Sequence, residues 1–230
     1  MPLAKESPHT IETPADDRLR TALRHDEETV NSITHGIGFV LSLAGAVWLM
    51  NTVIGRGNLL QCAGCGVFAA SLVAVYAAST LSHVFRRPRL RRLFRIVDQA
   101  FIFLLIAGTY TGFAFTYLDK GPWWILTTLM WVIAWSGFVS KLVFAHRVES
   151  VSTGLHVVMG WLPVLCIKPI TDAAPGASLW WMLAGGICYT AGTIFLSRDE
   201  RVPYFHAVWH LAVIAGSACH YWAILQWCSG

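Results

Sequence analysis

The sequence predicts an all-α integral membrane protein, a seven-transmembrane helix bundle. Three observations predict it. Of 230 residues, 55% are hydrophobic and 13% charged, eleven are tryptophan, and the mean hydropathy is +0.54; soluble domains carry about 25% charged residues. The apolar runs are long enough to cross about 30 Å of hydrocarbon, which takes roughly 20 helical residues. They are continuous rather than alternating, so helices and not a barrel satisfy the backbone in lipid.

Taken in order, residues 1–28 mix both charge signs with proline and threonine and hold no apolar run. They read as a flexible tail that becomes ordered near Glu27 and Glu28, without the apolar core of a secretory signal. Residues 29–230 form the membrane domain. Its spans fall at residues 33–54, 59–85, 94–117, 122–145, 153–170, 177–196 and 204–227. Pro163 sits in the middle of the fifth span. A kink there is tolerated if neighbours satisfy the freed carbonyl; six spans with a re-entrant fifth is the alternative. No soluble segment is large enough for an activity of its own, so function lies in the bundle.

Basic residues in short loops set the orientation. One side holds the tail and the loops after spans two, four and six. Fourteen of the 17 lysines and arginines lie there: Lys5, Arg18, Arg20, Arg24, Arg86, Arg87, Arg89, Arg91, Arg92, Arg95, Lys141, Arg147, Arg198 and Arg201. Only Arg56, Lys120 and Lys168 lie on the other. The expected protein is a multi-pass protein of the bacterial inner membrane, amino terminus in the cytoplasm and carboxyl terminus outside. Trp123, Trp124, Trp180, Trp181, Trp222 and Trp227 fall toward the outer span ends, as interfacial anchors do. The net charge of +4 is mostly this topology signal. The cluster Arg86–Arg95 reads as an inside-positive loop, with contact to anionic headgroups of membrane lipids as the alternative. No nucleic-acid partner is expected, since no folded basic surface stands outside the membrane. No oligomeric state follows.

His83, Asp98, His206 and His210 lie just inside the cytoplasmic ends of spans two, three and seven. Ionisable groups at membrane depth mark function by default and need a named partner. His206 and His210 are spaced i, i+4, so both imidazoles share a helix face. Ser79 and His83 have the same spacing. Asp98 is the one acidic residue inside any predicted span, and a divalent cation would compensate it. Three imidazoles and a carboxylate have the composition of a catalytic zinc site with an open position. The bland readings are interhelical hydrogen bonds for the histidines, and Arg95 or the helix dipole for Asp98.

These residues carry a family resemblance. Glu28-x2-Asn31-x2-Thr34-His35-Gly36 enters span one, and Ser79-x3-His83 ends span two. Asp98 starts span three, with Gly108-Thr109-Tyr110-Thr111 further along, and His206-x3-His210 opens span seven. The chain resembles a bacterial member of the haemolysin III group within the progestin and adipoQ receptor family. More distantly it is similar to alkaline ceramidases, which share a Ser, Asp and three-His pattern in a seven-helix fold. The resemblance implies Zn2+ bound by His83, His206 and His210, and a water held by Asp98. Gly112 departs from the proline that many relatives have there.

The expected chemistry is metal-assisted hydrolysis of an amide or ester carbonyl. Asp98 would relay the proton, and Ser79 would donate to water or to the developing oxyanion. A site at the interface, walled by apolar helices, suits an acyl-lipid substrate. The alternatives are not enzymatic. Zinc could pin helices together, in a lipid-responsive receptor or regulator. The chain could instead be a cytolytic, pore-forming haemolysin, although no polar helix stripe is evident to line a pore. His35 reads as a hydrogen-bonding neighbour of the site, with His156 a lesser candidate. His220, ten residues past His210 and about 15 Å deeper, reads as an interhelical hydrogen-bonding residue. Cys62-x2-Cys65 reads as packed small residues, and Gly108-x3-Gly112 as a close helix contact.

Overall fold

A computed structural model describes residues 14–118, 123–144 and 149–229. The helices are α1 (Pro14–Arg56), α2 (Leu59–Val84), α3 (Pro88–Tyr117), α4 (Trp123–Val143) and α5 (Glu149–Trp161). A 3-10 turn, Leu162–Cys166, leads to α6 (Ile167–Ala173), α7 (Gly176–Leu196) and α8 (Phe205–Ser229). Among the described residues there is no strand. Six helices are long and apolar enough to cross a membrane, or seven if the bent α5–α6 pair is one span. The first 13 residues, with Lys5 and His9, lie outside the described residues. So do Lys120, Pro122, Ala145, His146 and Arg147, and the side chains of Arg18, Arg20, Arg24, Cys166, Trp227 and Cys228.

Local chemistry sets the boundaries. Asn58 caps α2: its side chain accepts from the Gln61 amide at 3.0 Å, and Gln61 Oε1 accepts from the Asn58 amide at 2.8 Å. This capping box stops α1 and restarts the chain as a new helix. Pro88 opens α3, where its missing N–H costs nothing. Pro163 falls in the 3-10 turn, and the two flanking helical pieces meet at 59°. The expected kink is therefore a break, as a lost backbone donor in mid-helix allows. The amino-terminal expectation changes too. Helix α1 begins at Pro14, so the polar stretch before Glu28 is in part helical.

Helix α3 is the most enclosed span and α7 the least. Phe68, Leu72 and Tyr76 of α2 pack with Phe103 and Tyr110 of α3, Met130 of α4 and Ile224 of α8. Glycines bring these helices close. A Cβ on Gly112 would sit 2.9 Å from Ile224 Cδ1 and 3.2 Å from Phe68 Cβ, and one on Gly108 would strike Ser71. The Gly108/Gly112 pair thus serves packing within the chain. Outside, Val40, Val47, Ile54, Val132, Ile187 and Ile194 are exposed, as are Trp124 and Trp180. So continuous an apolar surface belongs in lipid.

Helix α8 corrects one expectation. It does carry a polar stripe, turned inward. His210, Ser217 and His220 share one helix face and each contacts a polar group of another helix; Gln226, which accepts from Ser178, lies on a different face. Apolar residues stand between them, which hides the stripe in the sequence.

Candidate metal centre

The Glu27–Glu28 stretch of α1 meets the ends of α2, α3 and α8 at one end of the bundle. Glu28 of α1 reaches His83 of α2 and Arg95 of α3, while Glu27 accepts from the Tyr204 amide just before α8 at 2.7 Å. Tyr204 has φ 63°. That left-handed backbone is uncommon for a non-glycine residue and aims α8, with its histidines, into the bundle.

His83, His206 and His210 come together, as the family resemblance implies. Their ligand atoms all lie within 4.8 Å of one another, an arrangement that can hold a metal ion. Ring centroids are 4.6 Å apart for His206 and His210, 5.0 Å for His83 and His210, and 5.2 Å for His83 and His206. His210 is 1% exposed and His83 8%.

Hydrogen bonding fixes which nitrogen each ring presents. His83 Nδ1 lies 2.8 Å from Glu28 Oε2, and His206 Nδ1 lies 2.7 Å from Asp199 Oδ2. An ionised carboxylate only accepts, so both Nδ1 atoms carry the proton. His210 Nδ1 lies 3.1 Å from Thr34 Oγ1, whose own proton goes to the Val30 and Asn31 carbonyls at 3.0 Å. Thr34 therefore accepts, and His210 is also protonated at Nδ1. In each neutral ring this assignment leaves Nε2 unprotonated. This is how metal-binding imidazoles are prepared, with Nδ1–H held by an oxygen and the other nitrogen a free donor of electrons. His83 Nε2 is buried and has no hydrogen-bond partner, which is what a metal ligand looks like without its metal. The donor set fits zinc.

Asp98 and Ser79 stand beside this cluster. Ser79 is 1% exposed. Its oxygen lies 2.5 Å from His35 Nδ1, and its hydroxyl also bonds the Asp98 carboxylate. Since Asp98 takes the hydroxyl proton, His35 donates through Nδ1–H. Ser79 lies one turn before His83 on α2, and its hydroxyl serves His35 and Asp98. His35 stacks on His210 with centroids 3.5 Å apart, so it buttresses the cluster. Asp98 is partly buried and is not in the group whose atoms converge on the metal position.

Two residues of the site carried no role in the sequence reading. Glu28 binds His83, Arg91 and Arg95. It lies near the start of the helical segment His25–Arg56 that carries the first candidate span. Arg95, a candidate partner for Asp98, donates to Glu28 at 3.0 Å. The signal for Glu28 was present: Glu28, Asn31 and His35 recur at i, i+3, i+7 and share a helix face. Asp199 gave no such signal, because it sits in the turn between α7 and α8, where no period ties it to His206. His220 is as expected: Nε2 lies 3.1 Å from the Met182 carbonyl of α7. His156 packs on Phe103, with centroids 4.0 Å apart.

Comparison with known proteins agrees with this arrangement. A family profile described as Haemolysin-III related matches residues 23–221. Hemolysin-3 of Bacillus cereus is 38% identical over 199 residues, covering 86% of this chain and 90% of that protein. The Hemolysin-3 homolog of Bacillus subtilis (strain 168) is 35% identical over 202 residues, covering 88% and 94%. Monocyte to macrophage differentiation factor of Homo sapiens is 24% identical over 212 residues, covering 87% and 84%. No solved structure matches. A multi-pass helical bundle with three converging histidines, matched over nearly its whole length, belongs to the haemolysin III family.

Proposed function

We propose that this protein is a zinc-dependent hydrolase of a lipid amide or ester bond, working at the cytoplasmic interface of the bacterial inner membrane. The observation that carries this reading is the convergence of three imidazoles, each held at Nδ1 by an oxygen. His83, His206 and His210 would hold the zinc, which when bound supplies Lewis acidity toward water and a carbonyl. Three protein ligands leave a coordination position open, as catalytic sites do.

The surrounding residues do the rest. Glu28 and Asp199 fix the orientation of His83 and His206. Asp98 accepts the proton of the attacking water and returns it to the leaving group. Ser79 keeps Asp98 in place through its hydroxyl proton. Once Asp98 is protonated, that hydroxyl is released to donate to the carbonyl oxygen as charge develops there. Apolar helix faces around the site accommodate an acyl chain. The basic residues Arg86 to Arg95 at the same end support the cytoplasmic placement.

The test is reconstitution into phospholipid vesicles loaded with a self-quenching dye. A hydrolase releases fatty acid, and a metal chelator stops the release. Dye leakage without fatty acid would identify a pore, to which the name of the Bacillus cereus relative, Hemolysin-3, points. Neither signal, with zinc bound, would leave zinc as a helix staple. Glu28→Gln keeps the size of the side chain but removes the charge that holds His83. Its expected effect is a loss of about 10–100-fold in zinc affinity, read by competition with a chromogenic chelator. Unchanged affinity would mean that Glu28 serves the arginines alone.

A further inference from the structure

The histidine cluster is one end of a longer polar column along α8. At the far end, Gln226 Oε1 accepts from the Ser178 hydroxyl at 2.9 Å. The Tyr117 hydroxyl lies 3.0 Å from Ser178 Oγ and donates to the Ala223 carbonyl at 2.6 Å. One turn along α8, His220 Nε2 donates to the Met182 carbonyl at 3.1 Å. Next, two tyrosines from different helices converge on Ser217: Tyr76 donates to its oxygen at 3.0 Å, and the Tyr189 hydroxyl lies 2.7 Å away. The Tyr76 ring meets His35 edge-on, centroids 5.2 Å apart, and His35 leads to Ser79 and Asp98.

Two nitrogens mark the joints of this column. A carbonyl only accepts, so His220 carries its proton on Nε2, and its Nδ1 is a bare acceptor. His35 donates through Nδ1, which makes its Nε2 a bare acceptor. Both atoms are buried without a partner. Buried acceptors of this kind are where proteins seat internal waters. His220 stands on α8 between Ser217 and Gln226, and His35 stands between the Tyr76 ring and Ser79.

The backbone is shaped for the column. A Cβ on Gly38 would lie 2.6 Å from the Tyr76 ring, and one on Gly216 would lie 2.9 Å from the Tyr189 ring; one on Gly185 would strike His220. Three glycines therefore make room for three polar rings in the centre of an otherwise apolar bundle. Lined-up hydroxyls and imidazoles at membrane depth are the makings of a proton relay. Tyr76 is 2% exposed, Ser178 0% and Ser217 5%. Such packing suits a proton handed between hydroxyls, not a hydrated cation.

We propose that this column is a proton path across the membrane, from Gln226 at one end of α8 to Ser79 at the other. Hydroxyls and waters each accept one proton as they pass on another. One proton enters for each that leaves, and the charge moved is balanced by a counter-ion. The path shares Ser79 with the proposed hydrolytic site but needs no substrate turnover.

The test uses the full chain in vesicles enclosing a pH-sensitive dye, with valinomycin and a potassium gradient setting the potential and carrying the counter-charge. The expected result is faster acidification of the lumen than in protein-free vesicles. Ser217→Ala, Tyr76→Phe and Tyr189→Phe should each bring it back to the protein-free rate while eluting as the wild type does. A wild-type rate equal to that of protein-free vesicles overturns the proposal. So do correctly folded variants that conduct like the wild type, or an equal leak of a larger dye. The column would then be interhelical hydrogen bonding alone.

Discussion

His210→Ala protein is expected to lose its zinc, falling from about one ion per chain to background when the purified protein is analysed by plasma mass spectrometry. His210 is the deepest ligand candidate, 1% exposed, and its ring packs against both partner imidazoles. Its removal should not unfold the bundle. Thr34, which accepts from His210, still donates to the Val30 and Asn31 carbonyls of its own helix, so no buried hydroxyl proton is stranded. Loss of metal and loss of fold can therefore be told apart. A His210→Ala protein that elutes like the wild type and still carries a full complement of zinc would remove His210 from the ligand set. Wild-type protein devoid of metal even after incubation with zinc would end the zinc reading. The three imidazoles would then be hydrogen-bonding residues that staple α8 to α1 and α2.

Asp98→Asn is expected to keep its zinc and lose about 10²–10⁴ in hydrolytic rate, the usual contribution of a general acid–base group. Asparagine preserves the volume and can still accept from Ser79, but it cannot take a proton from water. The prediction separates catalysis from structure, because Asp98 stands outside the converging ligand group. The readout is fatty-acid release from vesicles, with metal content measured on the same sample. A fully active Asp98→Asn protein would mean that another group moves the proton. Loss of zinc would make Asp98 a ligand, and its present separation from the cluster would then close on binding.

Much of this protein was legible in one dimension. Long apolar runs specify spans because lipid offers the backbone no hydrogen-bond partners. The pairing of His206 with His210 follows from helical periodicity alone, and so does the shared face of Glu28, Asn31 and His35. The depth of His83 and Asp98 could be counted from the neighbouring arginines. Each of these is a local property, set within a few turns of a single helix.

The rest depended on which helices touch. Spacing placed Ser79 beside His83, yet packing turned its hydroxyl to His35 and Asp98. Asp199 reaches His206 only because the α7–α8 turn folds back through Tyr204. Glu28 became part of the site when α1 crossed the ends of α2 and α3, drawing it to His83 and Arg95. The inward polar stripe of α8 emerged only once Tyr76 and Tyr189 arrived from other helices. The sequence by itself determined the membrane fold, the family resemblance and the shared face of His206 and His210, because periodicity and solvation act along the chain. Only the tertiary structure decided the tautomer of each imidazole and the partner of each buried hydroxyl, because a hydrogen bond needs donor and acceptor within about 3 Å, and no spacing along one helix specifies its distance to another.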